Sequence, residues 1–187
     1  MRVAFDSRPT ADPQGLGCYS RCLLQALRDT AGEQDEIRES HRPRGADVFH
    51  TPWMQGAMLH SPCPMIVTLH DLSALKRPSE RLRSGGMHLR LRHLAVQRAT
   101  HVIVPTKAVA DEAAAELGFE HERVIVIPEA PDLHAFTAQQ PVSAQPTWTW
   151  QDAARETWAA YRRALAQPHR PCVTGSKRRP LSSPRAA

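Results

Sequence analysis

The chain has 187 residues, 41% of them hydrophobic, enough for one packed domain with a tail but thin for two. Its formal net charge of +5 is moderate and uneven: from Pro168 onward there are five basic residues, four prolines and no acidic residue. No apolar run reaches the length of a membrane span, and "MRVAFDSRP" meets an aspartate too early for a signal-peptide core, so a cytoplasmic protein is expected.

In chain order, "RVAF" predicts a short buried strand that ends at Asp6. "SRPTADPQGLG" is a Pro- and Gly-rich loop, and "CYSRCLLQALRD" predicts a helix with Leu23, Leu24 and Leu27 inward. "GEQDEIRESHRPRG" reads as polar surface. "DVFHTPW" predicts a strand through His50, and "PMIVTLHD" one that ends at His70 and Asp71. The second is continuously apolar, which suits a parallel strand covered on both faces. A basic helical region interrupted by Gly85-Gly86 follows, then the strand "HVIVPTK", a helix ending at Gly118, and the strand "RVIVIPEAPD". Strands alternating with helices predict an α/β fold, a Rossmann-like doubly wound parallel sheet with right-handed crossovers.

"TWQDAARETWAAYRRAL" predicts one appended amphipathic helix. Trp150, Ala153, Ala154, Trp158, Tyr161 and Leu165 share a face. Thr149 suits the N-cap with Asp152 three residues on, and Pro168 stops the far end.

In such sheets ligands sit outside the carboxyl ends of the strands. Asp6, Arg8, His50, Thr51, His70, Asp71, Thr106, Lys107 and Glu129 all fall at those ends. Gly15 and Gly17, directly before a helix, suit close backbone approach to an anion such as a diphosphate, although Ser20 replaces the last glycine of a dinucleotide fingerprint. A strand-end histidine is equally a hydrogen-bonding cap, with Asp71 able to fix its tautomer. Lys76, Arg77, Arg81, Arg83, Arg90, Arg92 and Arg98 form either a wet basic face or a contact for phosphates or an anionic membrane. The four cysteines lack zinc-like spacing and the histidines form no HExxH, so no metal site is expected. "SKRRP" reads as a solvated basic tail; its rival, a nucleic-acid patch, has no recognisable motif beside it.

The stretches "VAFDSRPTADPQGLGCYSRCLLQAL", "DVFHTPW", "PMIVTLHDLSALKR" and "RATHVIVPTKAVADEAAAELGFEHERVIVIPEAPD" follow one another as in the N-terminal half of family 4 glycosyltransferases of the GT-B type, which the chain resembles over residues 2 to 136. The resemblance implies an acceptor-side domain over 1–136, a Pro/Gln-rich spacer over 137–148, the family's returning C-terminal helix over 149–166, and a disordered basic tail over 167–187. It implies descent from a hexosyltransferase that moves a sugar, such as mannose or glucose, with retention from a nucleotide-diphosphate sugar without a tightly bound cofactor or metal. His70 and Asp71 would be the catalytic pair. Gly15, Gly17, Asp6, Arg8, Tyr19 and Lys107 would contact substrates. The partners would be the nucleotide sugar and a sugar or lipid-linked acceptor, with peripheral contact to an anionic membrane and no nucleic acid. The family's donor-binding domain has no counterpart between Phe136 and Trp148. The expectation is therefore a truncated, weak or inactive enzyme with a partner subunit supplying that domain, or a non-catalytic acceptor- or partner-binding module.

Overall fold

The computed structural model describes residues 1–13, 15–72, 86–131 and 147–167, with side chains from residue 90 in the third stretch. The spacer at 137–146, the tail beyond Gln167 and the basic residues Lys76, Arg77, Arg81 and Arg83 lie outside the described residues. Among the described residues ten strands and α-helices follow one another: β1 (Arg2–Phe5), α1 (Leu16–Asp29), β2 (Glu36–Glu39), β3 (Val48–Thr51), β4 (Met65–Thr68), α2 (Gly86–Gln97), β5 (His101–Val104), α3 (Lys107–Leu117), β6 (Val124–Val126) and α4 (Trp150–Ala166).

The strands form one parallel sheet in the order β2-β1-β3-β4-β5-β6. Successive side chains point to opposite faces. Val3, Phe5, Val48, Ile66 and Ile103 therefore meet α1 and α4 on one side. Ala4, Phe49, Met65, Val67, Val102 and Val104 meet α2 and α3 on the other. Burial on both faces explains the continuous apolar runs.

The polar stretch 33–45 contains a strand that its composition hides. β2, sequence EIRE, is an edge strand paired only with β1, and of its side chains only Ile37 is even partly buried. Its backbone hydrogen bonds hold it, so it carries no apolar period.

α4 starts with a capping box: the Asp152 amide donates to Thr149 Oγ1 at 3.2 Å and the Thr149 amide donates to Asp152 Oδ2 at 2.9 Å. It lies on α1 and the sheet. Ala153, Ala154, Thr157, Trp158, Ala160, Tyr161 and Ala164 are buried, and the Trp158 indole N–H donates to the Leu27 carbonyl at 3.3 Å. The alanines let two helix backbones come close, and the two rings fill the space beside them. Leu165 departs from the predicted stripe: Ala164 takes the inward place in the last turn and Leu165 is 42% exposed. The inward line there runs Thr157, Tyr161, Ala164, at i, i+4 and i+7, and Leu165 falls just off its edge.

Candidate functional site

The sheet order reverses at β1. The chain passes from β1 outward to β2, then returns to add β3 on the other side. Connections leaving neighbouring strands toward opposite faces open a crevice at their carboxyl ends. A cleft of about 490 Å³ lies there. Its walls are Gly15, Leu16 and Tyr19 at the start of α1, Trp53, Met54 and Gln55 after β3, Thr68, Leu69, His70 and Asp71 at the end of β4, and Glu129 after β6.

His70 is held by both ring nitrogens. Nδ1 is 2.7 Å from Glu129 Oε1, and Nε2 is 3.1 Å from the Pro52 carbonyl. Both partners are acceptors, so both contacts are satisfied together by a ring carrying two N–H groups. Tyr19 meets the ring edge-on at 4.4 Å between centroids. Tyr19 in turn stands edge-on to Trp150 at 5.6 Å, so α4 reaches the wall of the cleft. Glu129 and the Pro52 carbonyl thus hold the His70 ring, and Asp71 is exposed on the cleft wall. A ligand gains Nδ1 only by displacing the half-exposed Glu129 carboxylate.

The other predicted site residues divide. Gly15 caps α1 with a positive φ of 48° and no atom near the place of a side chain, so its backbone faces open space in the cleft. Gly17 stands elsewhere. A β-carbon there would lie 1.9 Å from the Asp12 carbonyl oxygen and 2.8 Å from that of Pro9, so its close approach is to the chain's own 8–12 turn.

Asp6 is fully buried below the cleft. Its carboxylate accepts from Arg8 Nε at 2.8 Å, Arg8 Nη2 at 2.7 Å, Trp53 Nε1 at 2.9 Å and Thr51 Oγ1 at 3.2 Å. Arg8 stacks over Trp53, 5.4 Å from the ring centroid. This network ties the loop after β1 to the loop after β3 and so braces the cleft floor. Asp6 and Arg8 are not among its lining residues. Lys107 opens α3, pairs with Asp111 at 3.1 Å, is 83% exposed and also lies outside the lining. Among the described residues no three His, Cys, Asp or Glu side chains gather as a metal site.

Burial alone would raise the Asp6 pKa; the Arg8 and Trp53 hydrogen bonds and the Arg8 charge outweigh it and hold the carboxyl below its ordinary value of 3.8. A depressed folded pKa stabilises the fold above the unfolded value, and that stability is lost as pH falls through the folded one. Urea unfolding at pH 7 and pH 3 should therefore show a larger acid loss for the wild type than for Asp6→Asn. Equal losses would remove Asp6 from the acid response.

Sequence reasoning left two features unseen. Glu129 was visible as a strand-end polar group, but its pairing with His70 spans 59 residues and has no local signature. His50 was likewise visible, but not its partners: Nδ1 is 2.6 Å from the Tyr161 hydroxyl of α4 and Nε2 is 2.9 Å from Thr68 Oγ1. Burial pushes the His50 pKa down to about 3, so its ring is neutral.

A doubly wound parallel sheet whose switch-point crevice carries a helix N-terminus and polar strand ends defines a Rossmann-like domain. A family model described as Glycosyltransferase Family 4 matches residues 11–135, which is more than half of the chain. The chain therefore belongs to Glycosyltransferase Family 4. No curated protein matches this sequence.

Proposed function

We propose that this chain is the acceptor-side half of a retaining hexosyltransferase, with feeble turnover of its own. The cleft receives an acceptor and the sugar end of a nucleotide-diphosphate sugar. The nucleotide grip comes from a second domain, which residues 137–148 are too few to form. One observation carries the reading: His70 is held at both nitrogens, beside Tyr19 and opposite the Gly15 start of α1, in the switch-point cleft of a family member.

Charge builds on the diphosphate as the sugar departs. The Gly15 backbone and the N-terminus of α1 supply a positive dipole end toward it. The His70 ring, held by Pro52 and Glu129, has its orientation set before the ligand arrives. Asp71 contributes from the exposed wall. Closure by the second domain would exclude water and align the two substrates.

The test is transfer of labelled hexose from uridine diphosphate glucose and guanosine diphosphate mannose to sugar and lipid-linked acceptors. The wild type should transfer weakly, and His70→Ala should lower the rate by about 10²–10³-fold. An unchanged rate would remove His70 from the site. Acceptor binding without any turnover would support the second reading, a non-catalytic acceptor-binding module, which the short spacer favours.

A lipid-linked acceptor would also suit the surface of α2. Leu91 and Leu94 are 40% and 49% exposed there, beside exposed Arg90, Arg92 and Arg98. Apolar side chains flanked by cations match an anionic bilayer surface. Co-sedimentation with phosphatidylglycerol vesicles should weaken with added salt and fall in a Leu91→Gln, Leu94→Gln variant. Binding that ignores both changes would locate the contact elsewhere.

A further inference from the structure

A line of polar groups runs from the buried face of α4 to the cleft, and its direction has a chemical consequence. Tyr161, fully buried on α4, contacts His50 Nδ1 at 2.6 Å. His50 Nε2 contacts Thr68 Oγ1 at 2.9 Å. Thr68 Oγ1 lies 3.5 Å from the Tyr19 hydroxyl, the long link of the line, and both residues line the cleft.

A neutral imidazole has one N–H and one lone pair, so the line has two polarities. In the first, Tyr161 O–H donates to Nδ1 and Nε2–H donates to Thr68. The Thr68 hydroxyl then turns to Tyr19, and the Tyr19 hydrogen is left for the cleft. In the second, every hydrogen is reversed: Tyr19 donates inward, Nδ1–H donates to Tyr161, and the cleft end offers only a lone pair. Among the described residues the Tyr161 hydroxyl has no hydrogen-bond partner besides His50. The second polarity therefore leaves its hydrogen buried without an acceptor, at the full cost of desolvation. The first leaves the spare hydrogen on Tyr19, a residue of the cleft wall, where a ligand can accept it.

We propose that Tyr161 is a positioning residue: by donating to His50 it fixes the polarity of this line, so that Tyr19 presents its O–H to the cleft as a donor for a ligand oxygen. The proposal rests on the cleft being a ligand site, and it complements His70, whose two nitrogens are already engaged. An acceptor oxygen, whether a sugar hydroxyl or a diphosphate oxygen, is favoured at that end. A seated α4 thereby sets the hydrogen-bonding character of a wall that Tyr161 does not touch.

The test needs no ligand. Histidine side-chain ¹⁵N spectra of the full chain, with His50 assigned through the signal lost in His50→Asn, report its tautomer. The wild type should be the Nε2–H form, and Tyr161→Phe should give a mixture of both forms. A wild-type Nδ1–H form overturns the proposal. An Nε2–H form that persists unchanged in Tyr161→Phe also overturns it, since another group would then set the polarity. Should that variant fail to fold, Thr68→Val decides: Tyr161 still donates there, so the Nε2–H form should persist, and its loss contradicts the proposal. These readouts are independent of sugar transfer, so failure of the proposed function leaves a separate signature.

Discussion

Replacing Trp158 with alanine is expected to destabilise the fold by about 3–5 kcal/mol, the usual range for deleting a buried aromatic. Trp158 is 2% exposed, packs edge-on to Tyr161 at 5.4 Å between centroids, and donates to the Leu27 carbonyl of α1. Truncation leaves a cavity between α4 and α1 and strands that carbonyl. Alanines at 153, 154, 160 and 164 share its helix, and they are too small to fill the hole. A domain of this size has about 5–15 kcal/mol in all, so the variant should sit close to unfolding at 37 °C. Urea unfolding followed by far-ultraviolet dichroism measures the shift. A loss below about 1 kcal/mol, the scale of a surface change, would mean that α4 is not seated on α1 as described.

The second large effect is expected at Gly17. A β-carbon there would sit 1.9 Å from the Asp12 carbonyl oxygen and 2.7 Å from its carbon, both backbone atoms. Real contacts do not come so close, and backbone yields less readily than a side-chain tip. Gly17→Ala must lift the 8–12 turn off α1, at a cost of about 1–3 kcal/mol or more as overpacking. The turn carries Arg8, whose contacts with Asp6 brace the cleft floor, so stability and cleft geometry should change together. Fluorescence of Trp53, which donates to the same carboxylate, offers a local reading beside global unfolding. To isolate it, the comparison is best made against a Trp53→Phe control. A variant as stable as the wild type with unaltered Trp53 emission would contradict this packing.

Where the sequence carried a period, the fold was legible. β1, β3, β4 and β5 are short apolar runs because the sheet is covered on both faces, and their alternation with helices implies the parallel winding. α4 declared itself through its aromatics, its alanines and its cap. β2 did not, because an edge strand held by backbone hydrogen bonds needs no apolar side chains. The place of the cleft was readable from topology, since strand ends at a switch point collect polar groups. Its internal contacts were not. Glu129 reaches His70 across 59 residues and Tyr161 reaches His50 across 111, and neither pairing leaves a mark in local spacing. Gly17 shows the reverse case: a glycine beside a helix start marks close backbone approach, but sequence does not say to what.

The central claim is that the cleft between the start of α1 and the end of β4 receives an acceptor and the sugar end of a nucleotide-diphosphate sugar and is organised around His70. Calorimetric titration of the full chain with uridine diphosphate glucose and guanosine diphosphate mannose, repeated on folded His70→Ala, tests it most directly. Saturable heat from at least one of the two ligands, lost in the variant, is the predicted result. A folded wild type that takes up neither, or a variant that binds as the wild type does, would contradict it.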